Sequence, residues 1–430
     1  NEVKEAADAM VLKSIMAVVP VRGEEQVPPV VAEVHIERYR KLAETIVEGK
    51  ITTMNEADIL ARMLVQTSRC EGLSMVYSNL VGFEGNEFYF FRPEKGWGNC
   101  SFKKIQFHFM ETVPLGIRNV DGILTLNPSP DYILKDDDDV IVLAEDDSTI
   151  NYSEQPVIEA KTHTYSTERA KIPLEKHMIV GWNNKAPIVL REYAGYMIKG
   201  SEVNLVLEQT NEEIEAEFAN ISKQFSDISM KLNEIDYQSK EQLKALKLPE
   251  YTTVSILAGS GDEAEEIDSR TIMRLLQIRN IFHEHTLETG KTIDTKLITE
   301  IVESENTELV LKAGVKDFLI SNQFVSKILA QVAEDPEVMR IYNDLFSEEG
   351  SEVYVKPVGL YFTGFEGENI TFADCVLAAQ QRSEVCFGVK IAAEETNLYR
   401  SFGIYLIPKK NTSYQFLPGD SLITLAEDES

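Results

Sequence analysis

One structural unit is written twice in this chain. The stretch LVQTSRCEGLSMVYSNLVGFEGNEFYF (64–90) lies over LAQVAEDPEVMRIYNDLFSEEGSEVYV (329–355) without a gap, pairing Gln66 with Gln331, Tyr77 with Tyr342, Leu80 with Leu345 and Gly85 with Gly350. Further on, 132–144 matches 414–426, and upstream VVAEV (30–34) lies over LITEI (297–301). Asp8, followed by an apolar helical pattern, lies over Asp268 in DSRTIMRLLQI. Self-similarity on this scale means a duplicated unit, so the fold of one copy constrains the other. The copies are unequal. The second begins near residue 172, well before Asp268, whereas only seven residues precede Asp8. The first copy is therefore expected to be truncated at its N-terminus, with its missing front upstream in a longer chain; a sheet without its opening strands needs a partner.

The front of the second copy alternates strands and helices. HMIVG (177–181), VNLVLE (203–208), ISMKL (228–232) and TVSILAG (253–259) are short, β-branched runs, separated by helical patterns at 184–197, 211–222 and 238–247. A helix over 268–284 and a strand over 296–302 follow. Strands separated by helices of this length predict parallel βαβ units and hence an α/β fold with a Rossmann-like, doubly wound parallel sheet. Helices over 321–333 and 336–346 lead into a tail rich in Val, Tyr, Phe and Ile with Gly and Pro turns, which predicts a helical crossover and a small β-rich lobe. The expected organisation is 1–150 for the first copy (1–53, 54–82 and 83–150), a polar linker over 151–171, and 172–430 for the second (172–320, 321–346 and 347–430).

Charge excludes some functions. The formal charge of −29 repels nucleic acid and anionic lipid and favours cations. Four cysteines without a CxxC pair and six histidines without HxxxH argue for reduced core thiols and against a zinc site. No apolar run approaches the ~20 residues that cross a bilayer.

The doubly wound sheet raises a dinucleotide hypothesis, but the turn after its first strand reads VGWNNKAPI, with Gly181 alone where a Gly-rich fingerprint is required. Glu208 ends the second strand, where a ribose-binding acid sits in such folds. Gly181 and Glu208 are thus weak nucleotide candidates, and a bound NAD is not expected. GxSxG, P-loop and spaced Cys/His motifs are absent, which argues against an enzyme. The acids suit a hard cation such as Ca²⁺, which takes oxygen ligands from separate elements. Candidates lie in GSGDEAEEIDS (259–269), with Asp262 and Glu263, and in DDDD (136–139), for which a turn before the last strand is the competing reading.

At NLVGFEGNEFYF, VIVLAEDDST, DSRTIMRLLQIRNI and LISNQFVSKILAQVAEDPEVMRIYNDLFSEEGSEVYVKP the chain resembles the cytosolic tandem RCK region of the CASTOR/POLLUX ion-channel family. The resemblance implies tandem RCK domains, the first entered after its fifth strand, that assemble as a homotetramer beneath the chain's own transmembrane pore and control ion flux, commonly with Ca²⁺. It places the chain in the soluble cytoplasmic part of a membrane protein. In related calcium-gated channels an Asp at a helix start joins an acid–x–acid at the end of the next strand. Asp268 and Glu300 match the first two acids, and Asp8 and Glu33 match them in the first copy. The third position holds Val302 or His35, so Glu303 or Glu305 would have to substitute. Asp268 also reads as a plain helix cap. Rival readings are a Trk-type nucleotide-binding regulatory subunit of a potassium transporter and an NAD-dependent dehydrogenase.

Overall fold

The computed structural model describes every residue except 1, 23–27, 48, 83–85, 171–172, 260–262, 313–316, 348–349, 396 and 429–430. The chain forms two compact units, one of Asn1–Arg69 with Pro173–Met339 and the other of Cys70–Ile172 with Arg340–Ser430. Compactness in space thus cuts across the repeat: each unit takes one part from each copy.

The first unit holds the α/β lobes. Six parallel strands, Lys176–Val180, Glu202–Leu207, Ser229–Glu234, Thr253–Ile256, Lys296–Ile301 and Asp317–Ile320, lie in the spatial order third, second, first, fourth, fifth, sixth. This is the doubly wound order, whose crevice lies beyond the carboxyl ends of the strands. The central runs are apolar because helices cover both faces; Met178, Ile179, Val254, Ile256 and Ile301 are fully buried. The sixth strand, DFLI, is an addition to the five expected from sequence. Helix Ala264–Thr289 starts earlier and ends later than the expected 268–284.

The first copy supplies helix Glu2–Arg22 and a two-stranded parallel sheet, Val30–Glu33 with Ile51–Met54. Glu33 pairs with Met54 as Glu300 pairs with Leu319. These elements correspond to the fourth-to-fifth connecting helix and to the fifth and sixth strands. The match therefore opens after the fourth strand, one earlier than the sequence reading placed it. The three residues Leu12, Ile15 and Ile51 pack this small sheet onto its helix.

The second unit holds the two β-rich lobes, whose four-stranded sheets share one strand order. One sheet runs Glu87–Phe91, Asp139–Ala144, Val113–Arg118, Leu124–Leu126; the other runs Glu352–Pro357, Ser421–Ala426, Val385–Lys390, Ile404–Leu406. Each has a register shift in its third-position strand, between Pro114 and Gly116 and between Cys386 and Gly388. The glycines are required there: a Cβ on Gly116 would stand 2.6 Å from the Thr125 carbonyl oxygen, and one on Gly388 2.7 Å from that of Tyr405. The extra length of the second copy goes into helix Phe372–Gln380, longer than Phe102–Ile105, and into the 3-10 turns Ala392–Glu394 and Leu398–Gly403.

The stretch expected as a plain linker is a strap bound to this unit. Val157 N donates to Phe107 O at 2.9 Å, Ser166 N to Tyr361 O at 3.0 Å and Thr363 N to Thr164 O at 2.9 Å. Asp374, buried at the start of helix Phe372–Gln380, accepts from Lys161 N at 2.6 Å and lies 3.2 Å from His163 Nε2. The DDDD run is a turn. Asp138 accepts from Tyr132 Oη and Lys135 N at 2.9 Å each, and its counterpart Asp420 accepts from Ala392 N and Leu417 N at 2.8 Å each.

Candidate functional site at the strand ends

In doubly wound sheets ligands gather where strands end and helices begin. Candidate acids of the first unit stand there, and the structure gives Asp268, Asp8, Glu300 and Glu33 defined partners. Asp268, fully buried, accepts from Val302 N at 2.8 Å, Glu303 N at 3.0 Å and Asn306 Nδ2 at 2.8 Å. It ties its helix to the chain leaving the fifth strand. Asp8 does the same in the first copy, accepting from His35 N at 3.1 Å and Ile36 N at 2.8 Å, with His35 Nδ1 at 2.9 Å. Burial works against the Asp8 charge, but the bonds from His35 and Ile36 prevail and hold its carboxyl below the usual range. The paired aspartates are docking groups, and the duplication repeats that role.

Glu300 is 3 % exposed and anchors a network. Lys185 Nζ lies 2.8 Å from its Oε1, and Ser321 Oγ donates to Oε1 at 2.7 Å. Its Oε2 accepts from Ala258 N at 3.1 Å and Asn183 Nδ2 at 3.2 Å. Lys185, itself 8 % exposed, thus carries the one cationic group bonded to Glu300 among the described residues. The turn after the first strand, which holds phosphate in dinucleotide-binding proteins, here delivers a lysine and an asparagine to an internal carboxylate.

Glu33 is different. Burial, and then the Glu56 carboxylate beside it, push its carboxyl upward, while His35 Nε2 lies 3.3 Å away. Lys4 belongs to the same cluster; burial and then the Lys185 charge pull its amine down, against the upward pull of Glu56, Asp8 and Glu33. Among the described residues no three His, Cys, Asp or Glu side chains are grouped so as to hold a metal ion. Glu263 and Glu303 flank the helix start and the strand exit without joining Asp268 in such a group, Glu303 offering it a backbone amide instead. Asp262 lies outside the described residues.

The nucleotide candidates are engaged elsewhere. Gly181 has φ +100°, and a Cβ there would meet the Leu257 carbonyl oxygen at 3.2 Å, which explains the glycine without a phosphate. Glu208 pairs with Arg274 at 3.5 Å, and that guanidinium lies over the Tyr237 ring at 4.6 Å. Arg274 and Tyr237 therefore stand beside the strand ends where a dinucleotide would extend. Sequence reading overlooked Lys185, Asn183, Arg274 and Ser321. The signal was present only as a lysine four residues beyond the single glycine of that turn.

Substituting Asp268 by Ala removes three hydrogen bonds to a buried carboxylate and leaves two backbone amides unpaired. The expected loss is about 3 kcal/mol of stability, read as a lowered denaturation midpoint followed by Trp182 fluorescence. A midpoint unchanged from wild type would refute the docking role.

Comparison with known proteins fits this geometry. A family model described as Castor and Pollux, part of voltage-gated ion channel, matches residues 57–160. The probable ion channel POLLUX of Arabidopsis thaliana is 28% identical over 375 residues, covering 80% of this chain and 45% of its own length. The ion channel DMI1 of Medicago truncatula is 29% identical over 378 residues, covering 80% of this chain and 42% of its own. The chain spans less than half the length of these curated relatives. Among solved structures, the human SLO3 gating ring superposes with a TM-score of 0.69 at 13% identity, over 98% of this chain and 85% of that one. The tandem RCK fold is thereby shared across both copies. No helix among the described residues is long and apolar enough to cross a membrane.

Proposed function

We propose that this chain, similar over 80% of its length to the ion channels POLLUX and CASTOR, is the ligand-sensing regulatory part of a cation channel, passing a change at its strand ends to a pore in the same polypeptide. The observation that carries this reading is the duplicated lobe with its carboxylate network, in a chain whose whole length shares the fold of a channel gating ring. Burial of Lys185 and Glu300 makes the network two-state in character: partners are either fully bonded or costly to separate. A ligand biases such an element only by its different affinity for the two arrangements.

The regulatory ion in this reading is Ca²⁺, and Glu33 with Glu56 is where a cation gains most. The Glu56 carboxylate raises the proton affinity of Glu33, and a divalent ion relieves that repulsion as a proton does. Asp268 and Glu300, by contrast, would have to give up the amide, amine and hydroxyl partners they hold. Assembly with further copies is supported by apolar side chains on the corresponding helices of the two copies. Met273, Leu276 and Leu287 are 62%, 50% and 71% exposed on Ala264–Thr289, and Met10 and Met16 are 71% and 59% exposed on Glu2–Arg22. Met16 and Leu276 occupy matching positions, each eight residues beyond its docking aspartate.

Calorimetry with calcium chloride tests the site. The wild type is expected to give a saturable heat that Glu33→Gln reduces about tenfold in affinity, the effect of losing one charged oxygen ligand. No heat, or heat untouched by the substitution, would remove calcium from this position.

A further inference from the structure

The second unit contains a cavity of about 1200 Å³ that the regulatory reading does not use. It lies between the turn 93–100, helix Phe102–Ile105 and the strap, and its lining includes Trp97, Cys100, His108, Tyr152 and Glu159. The volume exceeds the roughly 300 Å³ at which small-molecule sites begin. Its wall is aromatic and held rigid from behind. Tyr152 stacks on His108 at 5.9 Å with planes 13° apart and meets the edge of Trp97 at 5.6 Å. Trp97 is fixed by its indole N–H, which donates to Asp138 O at 2.9 Å.

The polar features of this cavity are specific. His108, 7% exposed, has Nδ1 at 2.7 Å from Ser153 O, so Nδ1 carries the proton and donates. Its Nε2 lies 3.9 Å from the Cys100 sulfur. At the rim Lys95 is neutralised by Glu154 at 2.7 Å. Glu94, Glu159 and Lys104 make no ion pair among the described residues, which leaves two open carboxylates against one open ammonium. Aromatic faces with surplus negative charge at the mouth favour a flat ring that carries a cation. The overall charge of −29 adds to the same preference.

We propose that this cavity is a binding site for a small aromatic amine, with the ring against Tyr152 and the ammonium group toward Glu94 and Glu159. The site needs no part of the channel reading and stands or falls separately. It is formed by the first copy's β-rich lobe, the strap over 152–160 and Leu377 of helix Phe372–Gln380.

Phenethylamine, 3-phenylpropionate and butylamine probe ring and charge separately. Binding is read by calorimetry and by Trp97 fluorescence in a Trp182→Phe background, since the chain has two tryptophans. Phenethylamine is expected to bind saturably and to alter Trp97 emission, with 3-phenylpropionate and butylamine each about tenfold or more weaker. Tyr152→Ala should cost about tenfold by removing the ring wall. Glu159→Gln, a change at an exposed side chain that leaves packing intact, should weaken phenethylamine and not 3-phenylpropionate. An absence of saturable phenethylamine binding, tighter binding of the anion, or a phenethylamine affinity indifferent to Glu159→Gln would each overturn the proposal.

Discussion

Replacing Lys185 by Met is expected to cost the first unit about 3 to 5 kcal/mol, the penalty for stranding a buried charge. Glu300 would keep Ser321 Oγ, Ala258 N and Asn183 Nδ2 as donors and lose its cationic partner while 3% exposed. Neutral donors stabilise a carboxylate but do not return the solvation a buried anion has lost. The companion change Glu300→Gln leaves Lys185 stranded instead and should be destabilising to a similar degree. The double variant, Lys185→Met with Glu300→Gln, has no charge left to strand. It should recover much of the loss, so that the cycle yields a coupling of about 2 kcal/mol or more. Unfolding followed by Trp182, which directly precedes the network residue Asn183, reports this unit in a Trp97→Phe background. Additive single losses would show that the two charges do not meet.

The second large effect belongs to the other unit. Lys410 is completely buried, its Nζ donates to Thr112 O at 2.7 Å, and no carboxylate pairs with it among the described residues. Burial pulls its amine from 10.5 down to about 7, with Cys386 working weakly the other way. The folded form thus binds its proton less readily than the unfolded chain. Between about pH 7 and 10.5 the unfolded state holds more protons, so stability contributed by this group rises with pH through that window. The slope approaches about 1.4 kcal/mol per pH unit at most and vanishes below the folded value, where both states are charged. Lys410→Met should abolish that slope and raise stability near pH 7. Denaturation midpoints followed by Trp97 across pH 6 to 10 check this, and parallel pH profiles for variant and wild type would contradict it.

Much of the fold was legible because the repeat was. The match of 64–90 to 329–355 located the crossover helices, and the β-branched runs between helical patterns gave the parallel sheet. DFLI was missed because four apolar residues without alternation carry no period that separates strand from helix. The strap was read as a linker because its order comes from isolated backbone bonds to Phe107 and Tyr361, which leave no pattern in side chains. At the site, the match of Asp8 to Asp268 and of Glu33 to Glu300 was visible, but what those acids hold was not. Asp268 is bonded by backbone amides, which any residue supplies, and Glu300 by a lysine from a distant turn. Only the three-dimensional sheet order brings the first and fifth strands' ends together. The aromatic cavity has the same origin, since Trp97 and Tyr152 meet across a lobe rather than along an element.

Ion flux through the proposed channel polypeptide, reconstituted in liposomes and measured with and without calcium, tests the central claim most directly. Calcium is expected to change the flux of the wild type, and Glu33→Gln to shift the concentration at which it does so in step with the loss of calorimetric affinity. Flux that is the same with and without calcium, in protein whose calcium heat is intact, would show that the chain binds the ion without governing a pore.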